Sequence, residues 1–299
     1  MKLIEVAELI EIRWHGRGGQ GAVTSAELLA LAAINEGKFA QAFPSFGPER
    51  RGAPVLAFTR ISERAHIGIR SAVTQPDIVV VLDPGLLGIS DITSGLKDGG
   101  ALVVNSSRGV DDIKSKFGGP WHLAVVNATA IALELLKVPI VNTTMLGALV
   151  KASDIVKLDS LAELMEERFG KLAQRNIEAC KRAYDETSIA APSPVFRKPA
   201  KAYVTESLPS WRELAPGFVL TEPGSSRSYR TGDWRAERPV FNHDRCIKCG
   251  ICSLFCPEDC IGQDEEGYFE ADLYYCKGCG ICARECWTEA ITMVGEAKG

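Results

Sequence analysis

The sequence predicts an α/β domain with a mainly parallel sheet, followed by a small α+β module. Three observations carry this. Over residues 1–186, short apolar runs alternate with helix-period stretches, the pattern of strands and crossover helices. Over 187–238 six prolines interrupt every candidate element, and over 239–299 eight of the chain's ten cysteines crowd together. With 299 residues and 46% hydrophobic content, the chain can build one large core and one small one.

Ile10 to Trp14 read as a first strand running into Gly16-Arg17-Gly18-Gly19-Gln20-Gly21, with a helix from about Ala22 to Asn35 and a second strand from Lys38 to Phe43. Val55 to Arg60 alternate as a strand does, and Ala65 to Ile69 are expected to pair with them. Asp77 to Leu82 form an apolar run ending at Asp83-Pro84-Gly85, as a buried parallel strand with a loop at its carboxyl end does. Ala101 to Asn105 and His122 to Asn127 repeat that theme. Helices follow at Thr129 to Leu136, at Thr143 to Lys151 and along one amphipathic stretch from Leu158 to Glu186. Asn142 reads as the N-cap of the second of these.

Residues 187–238 are expected to be an extended linker or arm. The prolines and Gly224-Ser225-Ser226 exclude regular elements. Apolar residues such as Phe196, Trp211 and Phe218 make the segment too sticky for free coil, so it should pack on something.

Within 239–299 the cysteines repeat one spacing. Cys246, Cys249, Cys252 and Cys256 are followed by Pro257, and thirty residues later come Cys276, Cys279, Cys282 and Cys286. Each copy reads C-x2-C-x2-C-x3-C, the spacing that ligates paired [4Fe–4S] clusters, with the fourth cysteine of each copy serving the other cluster. The expected ligand sets are therefore Cys246, Cys249, Cys252 and Cys286 for one cluster, and Cys276, Cys279, Cys282 and Cys256 for the other. Zinc sites would leave the third cysteine of each triplet redundant. A disulfide framework is not expected either, because no signal-peptide pattern opens the sequence and the cysteines fill one short stretch of a long chain. Cys249-Gly250-Ile251-Cys252 recurs as Cys279-Gly280-Ile281-Cys282 and Ile261 as Ile291, so the module reads as a duplicated, ferredoxin-like unit with a strand somewhere in Tyr268 to Tyr275. Trp287 stands where the second copy should have proline, and a differently shaped turn is expected there. Cys180 and Cys260 lie off the pattern and read as small buried hydrophobes.

The glycine run offers a second candidate site. Gly16, Gly18, Gly19, Gln20 and Gly21 lie between a strand and a helix, where backbone amides can hold an anion. No acidic residue ends the second strand near Gln41 to Phe43 to hold a ribose, which argues against a nicotinamide cofactor. A tight strand-to-helix turn bringing backbone close to a partner or to an anionic ligand explains the glycines better. Arg50 and Arg51, in the rigid loop Phe43 to Gly52, could grip a phosphate or carboxylate, or could equally be surface arginines on a solvated turn. His15, His66 and His122 read as structural.

Charge narrows the function classes. From Ala236 onward there are 12 Asp and Glu against 6 Lys and Arg, leaving a net of +2 for residues 1–235. No concentrated basic patch suggests nucleic acid, and no apolar run approaches the ~20 residues of a membrane span. Cluster ligation without a leader suggests the cytoplasm.

Taken together, Gly16-Arg17-Gly18-Gly19-Gln20-Gly21, Pro48-Glu49-Arg50-Arg51-Gly52 and Asn142-Thr143-Thr144-Met145-Leu146-Gly147 resemble the gamma subunit of 2-oxoacid:ferredoxin oxidoreductases. Tyr229-Arg230-Thr231-Gly232-Asp233-Trp234-Arg235, Arg238-Pro239-Val240 and the cysteine repeats resemble the delta subunit. The chain is similar to a gamma–delta fusion: a gamma-type α/β domain at 1–186, the arm, and a delta-type module at 239–299. The resemblance implies an electron-transfer subunit, not catalytic alone. Partner alpha and beta subunits would hold thiamine diphosphate and Mg and decarboxylate pyruvate or a related 2-oxoacid, oxalate among them. Ferredoxin would be the acceptor, within a higher hetero-oligomer. It also implies coenzyme A or a subunit interface near Gln20, Arg50 and Arg51. The other readings are a carrier subunit of an unrelated oxidoreductase, a flavin or NAD enzyme with a ferredoxin tail, and a scaffold whose clusters only stabilise the fold.

Overall fold

A computed structural model of the chain describes residues 9–45, 53–88, 91–193, 212–213, 217, 219 and 221–295. It divides into two compact units, Met1–Lys198 and Pro199–Gly299.

The first unit is built on a seven-stranded sheet. Its strands are β1 (Leu9–Arg17), β2 (Phe39–Ser45), β3 (Pro54–Ser62), β4 (Ile78–Val81), β5 (Ala101–Asn105), β6 (His122–Val126) and β7 (Ser188–Ala190), in the order β2-β3-β1-β4-β5-β6-β7. β1, β4, β5 and β6 run parallel, and β3 and β7 oppose their neighbours. The fully buried Ile78–Val81 and Ala101–Asn105 explain why these stretches read as continuous apolar runs: both faces are covered. One face carries α1 (Ala22–Asn35), α3 (Ala128–Leu135), α4 (Asn142–Ser153), α5 (Leu158–Phe169) and α6 (Ala173–Glu186) around Trp14, Leu28, Val80, Met145 and Ile177. The other face packs Val79, Val81, Leu102 and Val104 against Leu86, Ile92 and Ile113 of α2 (Val110–Phe117).

Four expectations change here. Ala65 to Ile69 form no strand; instead the Ile69 carbonyl accepts from Arg60 at 3.1 Å and from Gln41. The stretch from Leu158 to Glu186 is two helices, because Gly170 turns left-handed (φ 48°) and a 3-10 turn at Gly170–Leu172 redirects the chain. Asn142 is not a cap but the first residue of α4, which Val141 precedes. Ser188–Ala190, within the expected arm, closes the sheet edge against β6.

In α4, Gly147 lies so close to α6 that an added Cβ would sit 1.9 Å from the Cys180 carbonyl oxygen. The Thr143 hydroxyl donates to Asn176 Oδ1 at 2.8 Å across the same interface. The Asn-Thr-Thr-Met-Leu-Gly stretch is thus a helix-packing surface, buried throughout.

The second unit contains two antiparallel pairs: β8 (Glu237–Phe241) with β11 (Ile291–Gly295), and β9 (Ile261–Gln263) with β10 (Phe269–Ala271). Two short helices, α7 (Ile251–Leu254) and α8 (Ile281–Arg284), complete it around Ile261, Cys282 and Ile291. β10 is the strand expected within Tyr268 to Tyr275. It stops where Asp272 turns the chain, its carboxylate accepting from Tyr274 N–H at 2.8 Å and its carbonyl from Cys276 N–H at 3.0 Å.

Among the described residues, no helix is long and apolar enough to cross a membrane.

Candidate metal centres and the glycine turn

The cysteine repeat is also a backbone repeat. Lys248 and Gly278, Gly250 and Gly280, and Asp259 and Glu289 are all left-handed, each pair thirty residues apart. Three of these residues are not glycine, so the conformation costs roughly 1 kcal/mol or more at each and is held by its surroundings. The left-handed Gly250 and Gly280 start α7 and α8 immediately after Cys249 and Cys279. Asp259 N–H donates to the Cys256 carbonyl at 3.2 Å and Glu289 N–H to the Cys286 carbonyl at 2.9 Å. The turn at Trp287 therefore has the same form as the one at Pro257, against expectation. The left-handed residue two positions further on, not the proline, shapes both.

This doubling gathers the cysteines in two places. One cavity is lined by Cys246, Cys249, Cys252 and Cys286, with Phe241, Ile247 and Phe269 among its apolar walls. A second is lined by Cys276, Cys279, Cys282 and Cys256, and by Cys260 as well, with Pro257, Ile281 and Met293. Each holds three cysteines of one repeat and the fourth of the other, and the second holds Cys260 besides. Among the described residues, no group of three or more Cys, His, Asp or Glu is arranged to hold a metal ion.

Burial and crowding act on these thiols. Burial pushes the Cys282 thiol up to about 11, with Cys279, Cys276 and Cys252 adding to it against a hydrogen bond from Ala283 N–H. Burial likewise raises Cys252. Crowded thiols that resist ionising become thiolates only beside a cationic centre, which a bound metal would supply. Burial also acts on Cys286, yet the Thr288 hydroxyl and the N–H groups of Ala290, Thr288 and Ile291 outweigh it and leave that thiol below its ordinary value. Sulfur-directed amides are visible at both ends of the first quartet: Lys248 N–H lies 3.4 Å from Cys246 Sγ, and Ala290 N–H 3.3 Å from Cys286 Sγ. Cys260, off the pattern, is buried with its Sγ 3.6 Å from that of Cys256. Cys180 is buried in α6, and its thiol is pushed up to about 12 by desolvation, which leaves it inert.

The glycine turn is closed by neighbours that sequence spacing did not reveal. Gly18 N–H donates to the Ala53 carbonyl at 2.9 Å and Gln20 N–H to the Arg17 carbonyl at 3.0 Å. Gln20 Oε1 accepts from Arg17 N–H at 2.8 Å, and its Nε2 donates to Asp83 Oδ2 at 2.5 Å. Arg17 Nε lies 3.4 Å from the same carboxylate oxygen. Gly19 and Gly21 are left-handed, and a Cβ on Gly21 would meet Asn142 Nδ2 at 2.7 Å. A Cβ on Gly16 would press on Ala22 at 3.1 Å. The structure thus brings Gln20 to Asp83 and Gly21 to Asn142. The only advance signal was the Asp83-Pro84-Gly85 loop at the end of a parallel strand. Arg50 and Arg51 lie outside the described residues.

Residues 11–186 match the family described as pyruvate ferredoxin/flavodoxin oxidoreductase, and residues 239–262 match the 4Fe-4S binding domain. The second match includes the first cysteine quadruplet and ends before the second. The gamma subunit common to the pyruvate and ketoisovalerate oxidoreductases of Thermococcus kodakarensis is 52% identical over 183 residues, which cover 60% of this chain and 98% of the relative. Pyruvate synthase subunit PorC of Methanothermobacter thermautotrophicus is 52% identical over 179 residues, 60% of this chain and 96% of the relative. The crystal structure of the pyruvate oxidoreductase subunit PORC of Thermotoga maritima superposes with a TM-score of 0.55 at 41% identity, over 62% of this chain and 99% of that one. A 2-oxoglutarate:ferredoxin oxidoreductase chain from Magnetococcus marinus shares the fold over 83% of this chain, with a TM-score of 0.51 at 18% identity.

Proposed function

The chain belongs to the pyruvate ferredoxin/flavodoxin oxidoreductase family, and from that premise we propose that it is the fused gamma–delta, electron-transfer subunit of a cytoplasmic 2-oxoacid:ferredoxin oxidoreductase. Pyruvate or a branched 2-oxoacid is the proposed substrate, as the names of the relatives suggest. The observation that carries the reading is the pair of cavities, each lined by three cysteines of one repeat and the fourth of the other, with Cys260 beside the second set. The gamma relatives are covered almost to their full length by 60% of this chain, and the cysteine module follows. A subunit that is separate elsewhere is therefore joined here to its electron carrier.

When bound, two [4Fe–4S] clusters supply one-electron acceptance and donation between partner alpha and beta subunits, which would hold thiamine diphosphate and Mg, and an external ferredoxin. Cys246, Cys249, Cys252 and Cys286 would hold one cluster, and Cys256, Cys276, Cys279 and Cys282 the other. The chain's own residues do the rest. The left-handed Gly250 and Gly280 carry the backbone around each triplet, amides of Lys248 and Ala290 point at sulfur, and Phe241, Phe269 and Met293 give the cavities apolar walls. The glycine turn and Arg50 and Arg51 are proposed as the surface that meets the partner subunits or coenzyme A. Replacing both arginines should then weaken complex assembly or raise the KM for the acyl acceptor, and a variant unchanged in both would remove this role.

The test is to isolate the chain anaerobically with what binds it in its native cell. Ferredoxin reduction is then assayed across pyruvate, 2-oxoglutarate, oxalate and branched or aromatic 2-oxoacids, each with and without coenzyme A. Thiamine-dependent reduction with pyruvate or a branched acid is expected. No thiamine-binding partner and no activity on any acid would overturn the reading in favour of a carrier serving another oxidoreductase.

A further inference from the structure

Cys260 falls outside both cysteine quadruplets, yet it stands among the second set. It lines the same cavity as Cys256, Cys276, Cys279 and Cys282, and its Sγ lies 3.6 Å from that of Cys256. It also interacts with the Cys276 thiol. Backbone contacts fix its place. Cys260 is 7% exposed, its carbonyl accepts from Asp272 N–H at 2.7 Å, and the left-handed Asp259 before it donates to the Cys256 carbonyl at 3.2 Å. Five cysteines thus line a cavity whose proposed occupant takes four.

Among the described residues, the first cavity has no fifth cysteine. Thirty residues on from Cys260 the repeat places Ala290, which is 3% exposed and lines the first cavity beside Cys286. The two positions do not differ in packing, since both side chains are small and buried. They differ in chemistry: a thiol that loses its proton can bond a metal, and a methyl cannot. Little holds the two sulfurs of the second site apart. Pro257 and Asp259 are exposed and Glu258 is half-buried, so the segment joining Cys256 to Cys260 runs over the surface. A thiol sulfur moves roughly 3 Å between staggered rotamers, which is comparable with the 3.6 Å that separates them.

We propose that Cys260 is a reserve ligand of the second quartet, able to take the iron that Cys256 holds. In the exchange Cys260 bonds the iron and gives up its proton, Cys256 releases the iron and takes that proton, and no electron is gained or lost. This rests on the two-cluster reading above and makes the two sites unequal: the second survives loss of its crossed ligand, and the first does not. One reserve cannot make good two losses, so removing Cys276 along with Cys256 still takes the second cluster away.

The experiment counts iron and records EPR spectra on the anaerobically purified complex in thiol-free buffer. It compares wild type with Cys256→Ala, Cys286→Ala, Cys260→Ala and the double variant Cys256→Ala/Cys260→Ala. Wild type and Cys260→Ala should both carry about eight iron per chain. Cys256→Ala should keep about eight as well, with the signals of two [4Fe–4S] clusters. Cys286→Ala and the double variant should each lose iron, to about seven where three iron stay in the damaged site and about four where it empties. Cys256→Ala that loses iron as Cys286→Ala does would overturn the assignment, and so would a double variant that keeps the full count. Iron loss from Cys260→Ala alone would make Cys260 a primary ligand and overturn it too. A wild-type count too low for two clusters, or Cys286→Ala with iron undiminished, removes the underlying reading instead, whatever the other variants do.

Discussion

Replacing His15 with Gln should remove a pH-dependent weakness from the first unit. His15 lies on β1 and is 7% exposed. Its Nε2 accepts from Arg13 Nε at 3.0 Å, and Arg13 is itself held by the carbonyls of Ile92 and Ser94. Burial, and then the positive charge of Arg13, lower the His15 pKa from 6.5 to about 3. The folded protein therefore excludes a proton that the unfolded chain binds below about pH 6.5. With more protons on the unfolded state, stability falls as pH falls through the window from about 6.5 to about 3, by roughly 1.4 kcal/mol per pH unit. Between pH 6.5 and 5 the loss is on the order of 2 kcal/mol. Gln keeps an acceptor for Arg13 and cannot titrate. The assay is urea unfolding of both proteins at pH 7.5, 6.5, 5.5 and 5, followed by far-UV circular dichroism. That signal comes mainly from the first unit, since α7 and α8 have four residues each. Carboxylate titrations and acid effects on the cysteine module are common to both proteins and cancel in the difference. The variant should gain on wild type steadily below pH 6.5. A difference that stays flat down to pH 5 would refute the claim that His15 is held neutral by burial and Arg13.

Three other outcomes are expected. Gly147→Ala gains about 1 kcal/mol of helix propensity but drives a methyl into the Cys180 carbonyl; overpacking of this kind costs about 1–3 kcal/mol or more, so a lowered thermal midpoint is predicted, and an unchanged one would mean the helices are less closely packed than described. Gly21→Ala meets both a left-handed backbone and Asn142 Nδ2 and should cost about 2 kcal/mol or more in urea unfolding, whereas Gly37→Ala, left-handed with open space around it, should cost only the backbone part. A double variant, Cys256→Ala with Cys276→Ala, removes two ligands from one crossed quartet and should lose one cluster by iron count, while an uncrossed arrangement would lose both.

Much of this architecture was legible because particular residues allow few alternatives. The cysteine repeat was legible because its spacing recurs after thirty residues, and the backbone repeats with it, left-handed at Gly250 and Gly280. Ile78–Val81 and Ala101–Asn105 were legible because a strand covered on both faces has no room for polar residues. What escaped depends on contacts distant in sequence. Asp83 closes the glycine turn from sixty-three residues away from Gln20, and nothing in its own neighbourhood says so. Ser188–Ala190 is three residues long and partly polar, and only pairing with β6 makes it a strand. Ala65 to Ile69 misled because side chains of Gln41 and Arg60, not a ladder, hold Ile69. Trp287 misled because the left-handed Glu289, rather than a proline, makes its turn.

The most direct test of the central claim is the iron and acid-labile sulfide content of the anaerobically isolated chain, read with the EPR spectrum after dithionite reduction. Two crossed quartets predict about eight iron and eight sulfide per chain and the signals of two magnetically interacting [4Fe–4S] clusters. About four iron with one isolated signal, or zinc in place of iron, would contradict it.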